Sequence, residues 1–469
     1  MDYVSTRGGA PPLAFDDAVL AGLAPDGGLY VPARWPRLSE DALRLLADLP
    51  YPALVARVMA AFAVPAVSEA ELAEIARDAY RGFDHPDIAP LKPLGDDLYL
   101  LELFHGPTLA FKDYALQVLG RLFDRILGRR RRRITIVGAT SGDTGSAAIE
   151  ACRDRDAIDV FMLHPQGRVS EVQRRQMTTV DAANVQNIAI DGTFDDCQNL
   201  VKALFNDAPF RDRYRLGAVN SINWARIVAQ VGYYVHAARL LAAPERRIAF
   251  AVPTGNFGNV FAGYVAWRLG MPVARLIVGS NRNDILTRFF ASGRMEIGPV
   301  HPTLSPSMDI QVSSNFERLL FDLYDHDGAA VTALMAAFRD SGGFAVDSPR
   351  LKRARALFTA ARFDDEETKA AMRHVYEATG ELIDPHSAIG VAAARRVERS
   401  AGVPVVALAT AHPAKFPDAV EAATGIRPAL PPRLADLFDR PERFTRLPAD
   451  LHAVERFIAG TLADRRIDG

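Results

Sequence analysis

Cysteine is almost missing from this 469-residue chain: Cys152 and Cys197 are the only two, far apart and without Cys-x-x-Cys spacing. That excludes a disulfide framework and a cysteine-based zinc site, and it fits a reducing compartment. His105, His386 and His412 show no metal-ligand spacing and read as local hydrogen-bonding residues, so no metal is expected. An excess of one charge is missing too. Lys plus Arg count 55 against 57 Asp plus Glu, leaving no global field to attract nucleic acid or an anionic membrane. No apolar run approaches the roughly 18 residues of a membrane span. The first residues lack the basic segment and apolar core of a secretory signal, so a cytoplasmic protein is expected. Solenoid repeats and long low-complexity segments are absent as well. What is present is an ordinary globular balance, 49% hydrophobic and 24% charged, with material for roughly two to four domains.

The pattern changes along the chain. Residues 1–95 are rich in proline and read as short helices, clearest at 42–49 and 68–81, joined by proline-containing turns. Residues 84–93 hold three prolines and read as a linker. Apolar strands then alternate with helices. Strands are expected at 134–137, 160–163, 185–190, 248–252, 273–278 and 405–409, with helices at 145–152, 169–177, 195–205, 226–241, 259–269 and 417–423. Strands without polar alternation, separated by helices, indicate parallel sheets covered on both faces. The region 283–401 is less regular: helices are expected at 316–323, 329–338 and 369–379, and not every strand can be placed. The basic run 129–133 reads as a solvated turn between a helix and a strand. The resulting division is a helical region 1–95, a smaller α/β domain 96–220 and a larger α/β domain 221–469.

Three segments suit chemistry. In Leu103-Phe104-His105-Gly106-Pro107-Thr108-Leu109-Ala110-Phe111-Lys112-Asp113 a short Gly-Pro loop leads into a helix. Its apolar face is Leu116, Leu119, Leu122, Phe123, Ile126 and Leu127. Lys112 falls at that helix's positive N-terminus, where a desolvated amine has its charged form disfavoured and becomes a nucleophile for a carbonyl compound. The plain alternative is a surface lysine. Thr254-Gly255-Asn256-Phe257-Gly258-Asn259 joins a strand to a helix, so its N–H groups converge as a phosphate would need. Thr140-Ser141-Gly142-Asp143-Thr144-Gly145 makes the same kind of turn and could grip a carboxylate. Thr410 closes the 405–409 strand in the crevice position of an open α/β sheet, as a ligand contact or simply a satisfied hydroxyl. Asn223 and Arg226 could bind a phosphate, since Arg presents a planar fork to oxyanions. Ser5, Thr6 and Arg7 form a second candidate set. Asp384-Pro385-His386-Ser387 reads as a helix cap.

The 103–113 stretch resembles the cofactor-lysine signature of the threonine synthase family. So do Tyr3-Val4-Ser5-Thr6-Arg7-Gly8, Asp26-Gly27-Gly28-Leu29-Tyr30-Val31-Pro32, Gly138-Ala139-Thr140-Ser141-Gly142-Asp143-Thr144-Gly145, Asn220-Ser221-Ile222-Asn223-Trp224-Ala225-Arg226, Gly255-Asn256-Phe257-Gly258-Asn259 and Ala409-Thr410-Ala411-His412-Pro413. These run from residue 3 to about residue 415 in the family's order. The resemblance implies a fold-type II, tryptophan synthase β-like architecture: two parallel-sheet α/β domains with pyridoxal 5′-phosphate between them, plus a mainly helical N-terminal region. It implies Lys112 as the catalytic residue, joined to the cofactor as a Schiff base. Gly255, Asn256, Phe257, Gly258 and Asn259 would hold the cofactor phosphate, and Thr410 the pyridine nitrogen. Thr140, Ser141, Gly142, Asp143 and Thr144 would bind the substrate carboxylate, and Asn223 and Arg226 the substrate phosphate. The role of Asp143 stays open, because several related enzymes carry asparagine there.

The implied reaction is conversion of O-phospho-L-homoserine and water to L-threonine and phosphate, the last step of threonine biosynthesis, by a monomer or homodimer. A threonine or serine dehydratase would share the lysine and the phosphate loop without needing a substrate-phosphate site. A non-catalytic phosphate-ligand-binding protein could keep the fold alone.

Overall fold

The computed structural model describes residues 1–398 and 400–467. They form two compact units, one of Met1–Ala115 with Ser221–Ala429, the other of Leu116–Asn220 with the chain from Leu430 onward.

The first unit is built on a six-stranded sheet in the order Phe358–Arg362, Val273–Ser280, Ile248–Pro253, Val405–Ala409, Leu98–Glu102, Leu91–Gly95. The first five strands run parallel, and the last pairs antiparallel at the edge. Ile248–Pro253 and Val405–Ala409 are buried at every position, as strands covered on both faces must be. Leu100, Ala251, Ile277, Ile389, Ala407 and Val420 are part of the core on this sheet. Pro93, expected in a linker, lies in the edge strand, where its missing N–H is tolerated.

The N-terminal region is mainly helical, as expected. Its helix Glu69–Tyr80 opens on a reciprocal cap between Ser68 and Glu71. The helix Tyr51–Ala63 is absent from the sequence expectation. Pro52 sits in its first turn, where proline is tolerated, and nine of its 13 residues are buried. Burial on so many sides leaves no one-face periodicity to read.

The second unit holds a wholly parallel five-stranded sheet in the order Thr445–Pro448, Val185–Asp191, Ile158–Pro165, Ile134–Ala139, Leu216–Gly217. Phe161, Leu163, Ile188, Leu204, Val454 and Ile458 lie in its core. Both cysteines are free and buried in this unit. Burial pushes the Cys152 thiol up to about 12 and the Cys197 thiol up to about 11, so both serve as small apolar residues.

Strand pairing redraws the division into 1–95, 96–220 and 221–469. Leu98–Glu102 pairs with Val405–Ala409 and so belongs to the first unit. Thr445–Pro448 pairs with Val185–Asp191, which takes the C-terminal segment into the second. One boundary falls inside the helix Lys112–Arg130, between Ala115 and Leu116. Among the described residues no helix is long and apolar enough to cross a membrane, and no group of His, Cys, Asp and Glu could hold a metal ion.

Candidate active site

Lys112 is the first residue of the helix Lys112–Arg130, whose expected apolar face is fully buried. The loop before it is locked from within. Thr108 donates from its N–H and its Oγ1 to the two oxygens of the buried Asp113, at 2.8 and 2.7 Å. Gly106 is required there, because a Cβ would stand 2.5 Å from that of Asp113. The buried Lys415 donates to the Thr108 carbonyl at 2.7 Å. Lys112 itself is half-buried, its Nζ 5.0 Å from the centre of the Phe111 ring.

Thr410 is coupled to this loop through the backbone. Phe111 N–H donates to the Thr410 carbonyl at 2.9 Å, and His412 N–H to that of Leu109 at 3.0 Å. The residue preceding the lysine is therefore fixed to the strand end that carries Thr410. The N–H of Thr410 donates to Ser387 Oγ at 3.0 Å. Its hydroxyl forms no hydrogen bond with the protein among the described residues.

The 254–259 turn lies between the strand Ile248–Pro253 and the helix Gly258–Leu269. Its carbonyls are drawn backward: Ser313 Oγ donates to Gly255 O at 2.7 Å, and Asn315 donates to Asn256 O from N–H and Nδ2, both at 3.1 Å. With the carbonyls held on that side, the N–H groups of a strand-to-helix turn are left for an anion. Phe257, at the N-cap, adopts left-handed φ of +63°, a strained geometry that persists only where surroundings impose it. Phe316 and Phe358 hold its ring, with centroids at 5.1 and 5.6 Å. Asn259 is buried, and its Nδ2 has no hydrogen-bond partner.

Arg226 lies in the first turn of the helix Trp224–Leu240, 4% exposed, and its Nε and Nη1 have no partner. Burial pushes the guanidinium down to about 10. An uncompensated buried cation is strongly unfavourable. Asn223, by contrast, is engaged within the fold. It caps the same helix through Oδ1, accepting from Ala225 N–H at 3.0 Å, and its Nδ2 donates to Val19 O at 2.8 Å. The set of Ser5, Thr6 and Arg7 is likewise engaged. Ser5 donates to Asp26, and Thr6 and Arg7 both donate to Glu317.

In the second unit the expected carboxylate loop joins the strand Ile134–Ala139 to the helix Asp143–Cys152. Thr140 Oγ1 accepts from Gly142 N–H at 3.0 Å and Gly145 N–H at 2.9 Å, so this hydroxyl shapes the loop from inside. Asp143 is buried and accepts from Gln173 Nε2 at 2.8 Å. Ser141 is exposed and Thr144 half-buried, leaving these two as the outward hydroxyls. Sequence reading missed Gln173, Ser313 and Asn315, because each acts on a loop at least 30 positions away in the chain.

One parallel α/β sheet thus carries both a strand-to-helix turn whose carbonyls are held from behind and a strand end tied by backbone to the residue before Lys112. Residues 86–411 match the family described as pyridoxal-phosphate dependent enzyme. Residues 2–80 match the threonine synthase N terminus, and 387–458 the threonine synthase C-terminal family. The chain belongs to the threonine synthase family. It is 56% identical to threonine synthase of Pseudomonas aeruginosa over 98% of both chains. The threonine synthase of Corynebacterium glutamicum is 44% identical over the whole of both. The X-ray structure of PLP-bound threonine synthase from Brucella melitensis superposes with a TM-score of 0.97 at 52% identity, covering 98% of this chain and 99% of that one. The yeast threonine synthase structure gives 0.94 at 39% identity, covering 99% of each. The fold is the fold-type II α/β architecture, and the family's cofactor is pyridoxal phosphate.

Proposed function

We propose that this chain converts O-phospho-L-homoserine and water into L-threonine and phosphate. The observation that carries the substrate is Arg226, a buried cation with unpartnered donors, separate in sequence from the 255–259 turn. A dehydratase has one phosphate to hold, that of its cofactor; a phosphorylated substrate brings a second.

The residues present fit pyridoxal phosphate. Lys112 would bind its aldehyde carbon covalently, and Gly255, Asn256, Phe257, Gly258 and Asn259 its phosphate, through backbone N–H groups and Asn259 Nδ2. Thr410 would place its hydroxyl at the ring nitrogen. When bound, the cofactor supplies an electron sink for negative charge at the substrate's Cα and Cβ. Lys112 Nζ, as the mobile base, takes and returns protons at those carbons. Arg226 holds the substrate phosphate and stabilises charge on it as the Cγ–O bond breaks. In the second unit, Ser141 and Thr144 are the hydroxyls the family resemblance offers to a substrate carboxylate, in a loop shaped by Thr140, Gly142 and Asp143. Water adds at Cβ, which becomes the threonine hydroxyl carbon. The reading takes the enzyme to be cytoplasmic and to act as a monomer or homodimer.

Incubating cofactor-loaded protein with O-phospho-L-homoserine tests it. Equal amounts of threonine and phosphate are expected. Phosphate accompanied by 2-oxobutyrate would mean elimination without productive hydration and would overturn the proposal.

A further inference from the structure

Asp384 does more than a helix cap requires. It caps the helix Pro385–Arg396, and it is completely buried. Its Oδ1 accepts from Ser387 N–H at 3.0 Å and, at short range, from Ser387 Oγ. Its Oδ2 accepts from His386 N–H at 3.0 Å and faces His386 Nδ1 at 2.7 Å. Two backbone donors would complete the cap; the two side-chain donors lead elsewhere.

Because Ser387 Oγ gives its proton to Asp384, its lone pairs remain for a donor, and Thr410 N–H supplies one at 3.0 Å. On the other branch, His386 Nε2 accepts from Ser307 N–H at 3.3 Å. That requires a lone pair on Nε2, which assigns the ring proton to Nδ1, facing Asp384. Ser307 lies in the turn Pro306–Met308. Its carbonyl is 3.1 Å from where a Cβ on Gly255 would stand, and Met308 Cα is 3.4 Å from it. The turn therefore backs the 255–259 loop at contact distance.

We propose that Asp384, His386 and Ser387 are positioning residues for the cofactor. One buried carboxylate sets the Thr410 strand end through Ser387 and the backing of the phosphate loop through His386. This rests on the reading that Thr410 and the 255–259 loop hold pyridoxal phosphate at its two ends. None of the three touches the reacting atoms; each acts through another residue.

Dissociation constants for pyridoxal phosphate and for pyridoxal, which lacks the phosphate, separate the branches. His386→Asn keeps a donor toward Asp384 and loses the acceptor for Ser307. It should weaken pyridoxal phosphate about five- to tenfold, the effect of one hydrogen bond, and leave pyridoxal unchanged. His386→Gln places a carbonyl near the position of Nε2 and should restore most of the affinity. Ser387→Ala deletes only a hydroxyl. It should shift the visible absorption of the bound cofactor, which reports on the ring nitrogen, without changing the preference for the phosphate form. Equal affinities for the Asn and Gln variants, a parallel loss for pyridoxal, or an unshifted Ser387→Ala spectrum would each overturn the relay. A wild-type protein that takes up no pyridoxal phosphate would overturn the functional reading beneath it, and the relay with it.

Discussion

The two glycine-containing loops do the same local job by opposite means. Each leads from a parallel strand into a helix. The 140–145 loop is largely self-contained: one threonine hydroxyl gathers two N–H groups within five residues of itself. The 254–259 loop is held from outside, by Ser313 and Asn315 on its carbonyls and by distant aromatic rings on Phe257. Similar sequence patterns thus produce one loop held mainly from within, with Gln173 on Asp143 as an outside contact, and one held mainly by the rest of its unit. Lesions should follow that division, reaching the first loop mainly from inside it and the second mainly from far away.

Removing the chemistry while keeping both loops gives the largest effect. Lys112→Ala should lose at least about 10⁴-fold in turnover, because nucleophile and proton carrier go together. It should still bind pyridoxal phosphate, non-covalently, as equilibrium dialysis would show. Full turnover in this variant would remove Lys112 from its role.

Asn315→Ala comes next. It deletes a donor to Asn256 O and leaves buried Arg318, whose Nη1 donates to Asn315 Oδ1, short of an acceptor. A loss of about 3 kcal/mol in unfolding free energy is expected from chemical denaturation, together with weaker cofactor uptake. Unchanged cofactor affinity would break the claim that the 254–259 loop is held from afar.

Gly145→Ala attacks the other loop from within. A Cβ there would meet Thr140 Cγ2 at 2.3 Å, and such overpacking costs about 2 kcal/mol. The expected signature is a raised KM for O-phospho-L-homoserine with little change in cofactor affinity. A fall in cofactor affinity equal to that of Asn315→Ala would erase the distinction between the loops.

Ser313→Ala gives the smallest effect. It removes one hydrogen bond to Gly255 O, worth about 1 kcal/mol, so titration should show pyridoxal phosphate binding weakened about fivefold.

The sequence made legible what depends on neighbours in the chain. The apolar strands 248–252 and 405–409, the helix face from Leu116 to Leu127 and the strand-to-helix position of both loops all stand in local pattern. The strand Phe358–Arg362 escaped because only two of its five positions are buried and it lies at the sheet edge, leaving no continuous apolar run. Arg226 could be named from its residue type, but not its isolation, since the lack of a partner is a property of the packed interior. Asn223 is three positions from Arg226, yet its Oδ1 is engaged by Ala225 N–H at the helix start and its Nδ2 by Val19 O, distant in the chain. In sequence His386 is a cap neighbour, and nothing near it in the chain announces Ser307.

The order in which the strands join their sheets bears on how the chain can be made. Lys415 reaches Thr108 across 307 positions. Leu98–Glu102 waits for Val405–Ala409, and Val185–Asp191 for Thr445–Pro448. The first sheet lacks a strand until residue 409 has been made, and the second until residue 448. Until then both units expose unpaired strand edges, the state in which nascent chains are most open to aggregation. Completion of each sheet thus waits for a strand distant in the chain, and such non-local pairing is slow.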